Sequence, residues 1–227
     1  MTLEAKARNF PTLNLMIKIN EIYQSIQGES SYTGWPTVFV RTSGCHLRCH
    51  YCDSTYAYYD GQKMSAAEVI AAIGKHSAKH VCVTGGEPLL QTDVLPVMKE
   101  LCDQGYFVSL ETSGAVSCAG VDPQVKKIID IKTPESGAPN TFVNENLSLV
   151  TSHDEFKFVI CSEKDFLWAK SFVQQQQLAE KCLVYFSPSF KKVSETWLAE
   201  QILISKLDIK LQLQIHKYIW PETQRGV

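Results

Sequence analysis

Gly44-Cys45-His46-Leu47-Arg48-Cys49-His50-Tyr51-Cys52-Asp53 places three cysteines within eight residues, spaced C-x3-C-x2-C, directly after the run TVFVRTS at 37–43. Three thiolates on one short loop can wrap three corners of a cubane and leave the fourth iron open, because full cysteine ligation of a [4Fe–4S] cluster needs a fourth thiolate. An open iron gives a small molecule a place to chelate. The competing readings are a zinc site, with His46 or His50 as the fourth ligand, and inert thiols. Zinc ligands commonly come as two paired knuckles, and no second C-x2-C follows in this chain. The spacing favours iron and sulfur.

The rest of the chain fits an enzyme domain. Its 227 residues are 44% hydrophobic and 20% charged, which is globular usage and long enough to bury a core without staples. Lys and Arg number 22 against 24 Asp and Glu, so the footprint of a general nucleic-acid binder is missing. The apolar runs are too short for a membrane span, and MTLEAKARNFPTLNL lacks the apolar stretch of a secretory signal. A cytoplasmic location is expected. The cysteines outside the cluster, Cys82, Cys102, Cys118, Cys161 and Cys182, are scattered singly and read as small core hydrophobes.

Runs rich in Val, Ile, Phe and Tyr predict strands over 16–24, 37–43, 80–84, 107–112, 128–132, 155–161, 182–187 and 211–216. Helical patterns fall at 65–75, 92–104, 163–180 and 194–206, with Ser65 and Glu68 as a capping box and Gly105 as a helix stop. The alternation implies a mostly parallel sheet wound with helices. Four clear helices are too few for a complete eightfold barrel. The expected class is α/β: an incomplete, distorted (β/α) barrel with a mostly parallel sheet. Residues 1–15 are expected to form a flexible leader and residues 16–227 a single domain.

Polar clusters end three successive strands: Thr84-Gly85-Gly86-Glu87-Pro88, Glu111-Thr112-Ser113-Gly114 and Asp130-Ile131-Lys132-Thr133-Pro134. Paired glycines permit close backbone approaches closed to other residues. Each cluster alone reads as a turn or cap. Together they are what an α/β enzyme with one shared pocket requires. With the cysteine loop one βα unit ahead, the set resembles the radical S-adenosylmethionine (SAM) superfamily. That resemblance implies a barrel of the radical SAM type. It also implies a [4Fe–4S] cluster on Cys45, Cys49 and Cys52, and SAM cleaved reductively at the open iron to a 5′-deoxyadenosyl radical. The SAM contacts it implies are Tyr51, Cys52, Asp53, Gly86, Glu87 near the ammonium, Glu111, Thr112, Lys132, Thr133 and Pro134. Tyr51 alone would read equally as a core tyrosine.

Three further features narrow the resemblance: Tyr23-Gln24-Ser25-Ile26-Gln27-Gly28-Glu29-Ser30, Cys52-Asp53-Ser54, and the ending QLQIHKYIWP with Arg225-Gly226-Val227. Over residues 17 to 227 the chain resembles the 7-carboxy-7-deazaguanine synthase (QueE) family of queuosine and 7-deazapurine biosynthesis. The resemblance implies ring contraction of 6-carboxy-5,6,7,8-tetrahydropterin, begun at C6, with release of ammonia. It also implies Mg2+ held by Ser54, a reducing partner such as flavodoxin or ferredoxin, a homodimer, and no direct contact with nucleic acid or membrane. The implied pterin contacts are Ile26, Gln27, Gly28, Glu29, Thr84, His216 and the Val227 carboxylate, with Arg41 as a fork for the substrate carboxylate. On their own, Ser54 would read as a turn or cap residue, Arg41 as half of a surface salt bridge, and HKY as the end of a strand. Ser30 stands where relatives commonly carry glycine, which predicts a different turn there. A glycyl-radical activating enzyme and a zinc-binding interaction module are the rival readings.

Overall fold

The structure is a computed structural model that describes residues 15–221 and 224–226. The expected leader, apart from Leu15, lies outside the described residues, as does Val227. In chain order the strands are β1 (Met16–Ile26), β2 (Pro36–Thr42), β3 (Gln62–Ser65), β4 (His80–Gly85), β5 (Phe107–Thr112), β6 (Lys126–Asp130), β7 (Glu155–Ile160), β8 (Leu183–Pro188) and β9 (Lys210–Leu211). The helices are α1 (Ala66–Ile73), α2 (Val94–Asp103), α3 (Asn146–Leu149), α4 (Glu163–Gln175), α5 (Leu178–Lys181), α6 (Glu195–Ser205) and α7 (His216–Ile219). One sheet runs in the order β3-β1-β2-β4-β5-β6-β7-β8-β9, antiparallel where β1 pairs with β2 and β3 and parallel elsewhere. Among the described residues the two ends of this order do not pair with each other or with a further strand, so the expected incomplete α/β barrel is what forms. Among the described residues no helix is long and apolar enough to cross a membrane.

The period-2 alternation of strands explains both faces of the sheet. Val38 and Val40, Val81 and Val83, Val108 and Leu110, Ile129 and Ile131, and Phe156 and Phe158 form one core with the helices. α4 presents Phe166, Ala169 and Val173 to that core and starts at Ser162, whose hydroxyl accepts from Asp165 N. The capping box Ser65–Glu68 forms at α1, and Gly105 follows α2 at φ 83°. The intervening residues of the strands point the other way and mix polar side chains, such as Arg41, Thr84, Glu111 and Lys157, with apolar ones, such as Phe39, Ile128 and Val159.

Three expectations need correction. The helix expected over 163–180 breaks at Gln176–Gln177, where Gln177 is left-handed at φ 51°, and α5 then buries Leu178. β3 had no counterpart because QKMS carries no apolar alternation; it forms by pairing with Met16–Ile19. The strand expected over 211–216 stops at Leu211, and His216 opens a helix. LQLQ alternates like a strand, but Gln212 Nε2 donates to Ser30 O, 3.1 Å, and Ile215 N to Gly28 O, 3.1 Å. The chain therefore leaves the sheet and straps across the QGE loop.

Candidate active site

Inward residues of five consecutive strands in the sheet are Arg41, Thr84, Glu111 and Asp130, at or next to the carboxyl ends of their strands, and Lys157 in the middle of β7, with Arg41 opposite Thr84 and Asp130 opposite Lys157 in register. They line a chamber made of a cavity of about 790 Å³ and an adjoining pocket of about 170 Å³, which share Arg41, Thr84 and Glu111. Thr84 Oγ1 donates to Glu111 at 2.9 Å, and Gln27 Nε2 donates to the other oxygen at 3.3 Å. Burial, with the nearby Glu29 charge, raises the Glu111 carboxyl. Arg41 Nε pairs with Glu21 at 2.8 Å and Nη2 donates to Tyr23 Oη at 2.8 Å, so its guanidinium is fixed at the cavity wall.

The cysteine loop follows β2. Cys45, Cys49 and Cys52 are half-buried free thiols, and all three line the smaller pocket. Burial raises the Cys45 and Cys49 thiols, so binding a metal there releases protons. Glu87 N donates to Gly44 O at 2.8 Å. A Cβ on Gly86 would collide with that same Gly44 carbonyl and with Cys45 Cβ, which is the physical reason for glycine at this position. Ser54 stands at the N-cap of a short 3₁₀ turn, Thr55–Tyr58, but makes no capping bond; its hydroxyl donates to Asp53 at 3.3 Å and lines the chamber. Ser54 is thus the turn residue its plain reading expects, since its carbonyl accepts from Ala57 N at 2.9 Å, but its side chain caps nothing.

The QGE loop and the C-terminal strap form the opposite wall. Glu29 accepts from Lys157 and from Gln214 Nε2. Burial opposes ionisation of Glu29, yet Lys157, His216 and Gln214 together bring its carboxyl down to about 2. Asp53 meets Lys217 at 3.0 Å and His216 at 4.0 Å. Although burial opposes its charge, these partners hold it well below the usual carboxylate range. Gly28 leaves no room for a Cβ because His216 packs on it.

Residues 39–135 match the radical SAM superfamily. A 7-carboxy-7-deazaguanine synthase of Chlorobaculum tepidum is 44% identical over 93% of this chain and 97% of its own length. One of Koribacter versatilis is 44% identical over 93% of this chain and all of its own length. The chain belongs to the 7-carboxy-7-deazaguanine synthase family. The crystal structure of QueE from Escherichia coli shares the fold, with a TM-score of 0.71 at 23% identity over 87% of this chain and 94% of that one.

As a radical SAM enzyme, a member of the 7-carboxy-7-deazaguanine synthase family uses a [4Fe–4S] cluster and SAM, and the residues present fit both. The donor set is three thiols on one loop. The spacing His76–His80 is H-x3-H, but His80 begins β4 at the far end of the strand, stacked with Trp35 and Phe107. Two buried polar atoms of the smaller pocket, Tyr51 Oη and Asp130 Oδ1, have no partner among the described residues. Such orphans are costly unless a ligand satisfies them.

The structure brings most of the expected site residues together. Ile26, Gln27, Gly28, Glu29, Arg41, Tyr51, Cys52, Asp53, Ser54, Thr84, Glu111 and His216 line the larger cavity, and Gly86, Thr112 and Lys132 line the smaller pocket. Three do not face it. Glu87 is fully buried and accepts from Leu89 N, Thr112 Oγ1, and Ser113 N and Oγ. Its carboxylate is consumed in joining two strand ends, so it is not free for the SAM ammonium. Thr133 is turned inward to Asp165, 2.8 Å, and Val159 O, 3.1 Å, and Pro134 lines neither space.

Residues missed in the sequence are Lys157, Gln214 and Tyr56, which donates to Glu21 at 2.8 Å; the sequence marks Asp130 with its strand end but gives it no role. Lys157 carried a signal: it is the lone charge inside the apolar part of EFKFVI, at the parity of the polar face.

Proposed function

We propose that the protein converts 6-carboxy-5,6,7,8-tetrahydropterin into 7-carboxy-7-deazaguanine with release of ammonia. The observation that carries this reading is the meeting, on one chamber, of the three-cysteine loop with a fixed guanidinium, Arg41, and the polar QGE loop. Cys45, Cys49 and Cys52 hold the cluster, and Tyr51, Cys52, Asp53, Gly86, Glu111, Thr112 and Lys132 surround SAM. When bound, the cluster and SAM supply hydrogen-atom abstraction at C6 of the pterin.

The chain's own residues place that carbon. Arg41, oriented by Glu21, takes the substrate carboxylate in a charge-assisted bond. The Ile26, Gln27 and Gly28 backbone, Thr84 and the ionised Glu29 meet the amide-like edges of the ring, where an unpaired buried group costs about 1–3 kcal/mol. His216 closes the cavity from the strap and excludes water. Ser54 would supply an oxygen ligand to Mg2+, a hard cation that prefers oxygen donors. Its place at a turn start, where the hydroxyl caps nothing and makes only a long bond to Asp53, supports that role. The same reading includes a single domain, a homodimer, a flavodoxin or ferredoxin as reductant, and a cytoplasmic location; these rest on the family resemblance.

The test is anaerobic reconstitution with iron and sulfide, then reduction with SAM, the pterin and Mg2+ and mass spectrometry of the products. Formation of 7-carboxy-7-deazaguanine, abolished in Cys49→Ala, is expected. SAM cleavage without a deazapurine would leave a radical SAM enzyme with a different substrate.

A further inference from the structure

Every residue of β7 is buried, and Lys157 sits in its middle among Phe156, Phe158 and Val159. A buried ammonium requires compensation, and one carboxylate is enough to give it. Lys157 has two, from opposite sides of the chamber: Glu29 on the QGE loop, and Asp130 at the end of β6, 3.5 Å away. The same Asp130 oxygen also holds Lys132 at 3.0 Å, and Lys132 Nζ lies 5.4 Å from the centre of the Tyr51 ring. A line of alternating charge, Glu29–Lys157–Asp130–Lys132, therefore runs from the pterin loop to the residue beside the third cysteine. At the Tyr51 end the line is unfinished, since Asp130 Oδ1 and Tyr51 Oη are the two orphaned atoms of the pocket.

We infer that Lys157 is a positioning residue that couples the two subsites, so that pterin and SAM each strengthen the binding of the other. The inference rests on the function proposed above. When the pterin donates to Glu29, that carboxylate pulls less on Lys157. The ammonium then leans on Asp130, and Asp130 in turn loosens its hold on Lys132, leaving a cation for the anionic end of the second ligand. Such coupling is reciprocal by linkage.

The experiment uses the cluster-loaded protein kept oxidised, so that nothing turns over, and measures SAM affinity by calorimetry with and without 6-carboxytetrahydropterin. In the wild type the pterin is expected to tighten SAM at least about fivefold, the lower end of common coupling. In Lys157→Met the ratio is expected to fall to about one, and Lys157→Arg to recover part of it. A structural role alone would lower melting temperature or both affinities and leave the ratio intact. A ratio of one in the wild type, or an unchanged ratio in folded Lys157→Met, overturns the coupling. Should Lys157→Met not fold, Asp130→Asn cuts the same line, and a preserved ratio there overturns it equally. Wild type that makes the deazapurine after reduction yet shows a ratio of one refutes the coupling alone. Wild type that neither binds nor converts the pterin refutes both readings.

Discussion

On the strand-borne wall, Glu87 is 0% exposed and bound by donors from Leu89, Thr112 and Ser113; facing the strap, Asp53 of the cysteine loop pairs with the strap's Lys217 while 52% of its side chain stays open. Both are carboxylates beside the same chamber, and their surroundings give them different work. The first is a buried acceptor whose removal strands several donors at full desolvation cost. The second belongs to a partly exposed ion pair, worth less to folding than a buried acceptor. The wall decides whether the cofactor chamber exists, and the strap decides how firmly the substrate is held in it.

Glu87→Ala is the hardest test of that division. Loss of about 3 kcal/mol or more is expected in urea unfolding, because the Thr112 and Ser113 donors lose their acceptor in a closed interior. The comparison breaks if stability is unchanged and only SAM affinity suffers. That result would return Glu87 to the ligand-binding role its motif suggested.

Glu29 joins the two regions, bonded to Lys157 on the wall and Gln214 on the strap. Its carboxyl is lowered from 4.5 to about 2 in the folded protein. A lowered carboxyl stabilises fully above its unfolded value and loses that contribution as pH falls towards the folded one. Stability should therefore decline from about pH 4.5 downward, more steeply than in Glu29→Gln, when chemical denaturation is compared at about pH 6 and about pH 3. Equal slopes would show that Glu29 contributes nothing through its charge.

The wall was legible in the sequence and the strap was not, for a physical reason. Thr84, Glu111 and Asp130 announce themselves because a strand's polar residues fall at its carboxyl end and at fixed parity, a pattern written within a few positions. Gln212 and Gln214 work through partners at Ser30 and Glu29, more than 180 residues away. No local period encodes such a contact, so the alternation of LQLQ predicts a strand, and only the family resemblance brings His216 to the site. Glu87 failed differently: the motif located the backbone correctly, while only the packed interior shows where the carboxylate turns. Lys157 stood in plain view within EFKFVI, and a rule that a lone charge in a buried strand needs a partner would have found it.

Lys217→Ala probes the strap. Stability should change by no more than about 1 kcal/mol, as for other partly exposed pairs. The KM for the pterin should rise severalfold with kcat nearly kept, the mark of binding lost equally from ground and transition states. A fall in kcat at unchanged KM would place Lys217 in the chemistry and erase the distinction between strap and wall.

Ser30 carries the smallest expected effect and bears on the same boundary, since its carbonyl receives Gln212 of the strap. Its φ is 67°, the left-handed region in which glycine is free of strain. The Ser30 backbone thus adopts a conformation that glycine would adopt without strain. Its hydroxyl repays part of the strain by accepting from Tyr32 N at 3.1 Å. Relief of left-handed strain is opposed by loss of that bond and by the freedom of glycine in the unfolded chain. Ser30→Gly should therefore stabilise by only about 0.5 kcal/mol, with the pterin KM unchanged. A destabilisation of more than about 1 kcal/mol would mean that the hydroxyl, not the backbone, holds the QGE loop beneath the strap.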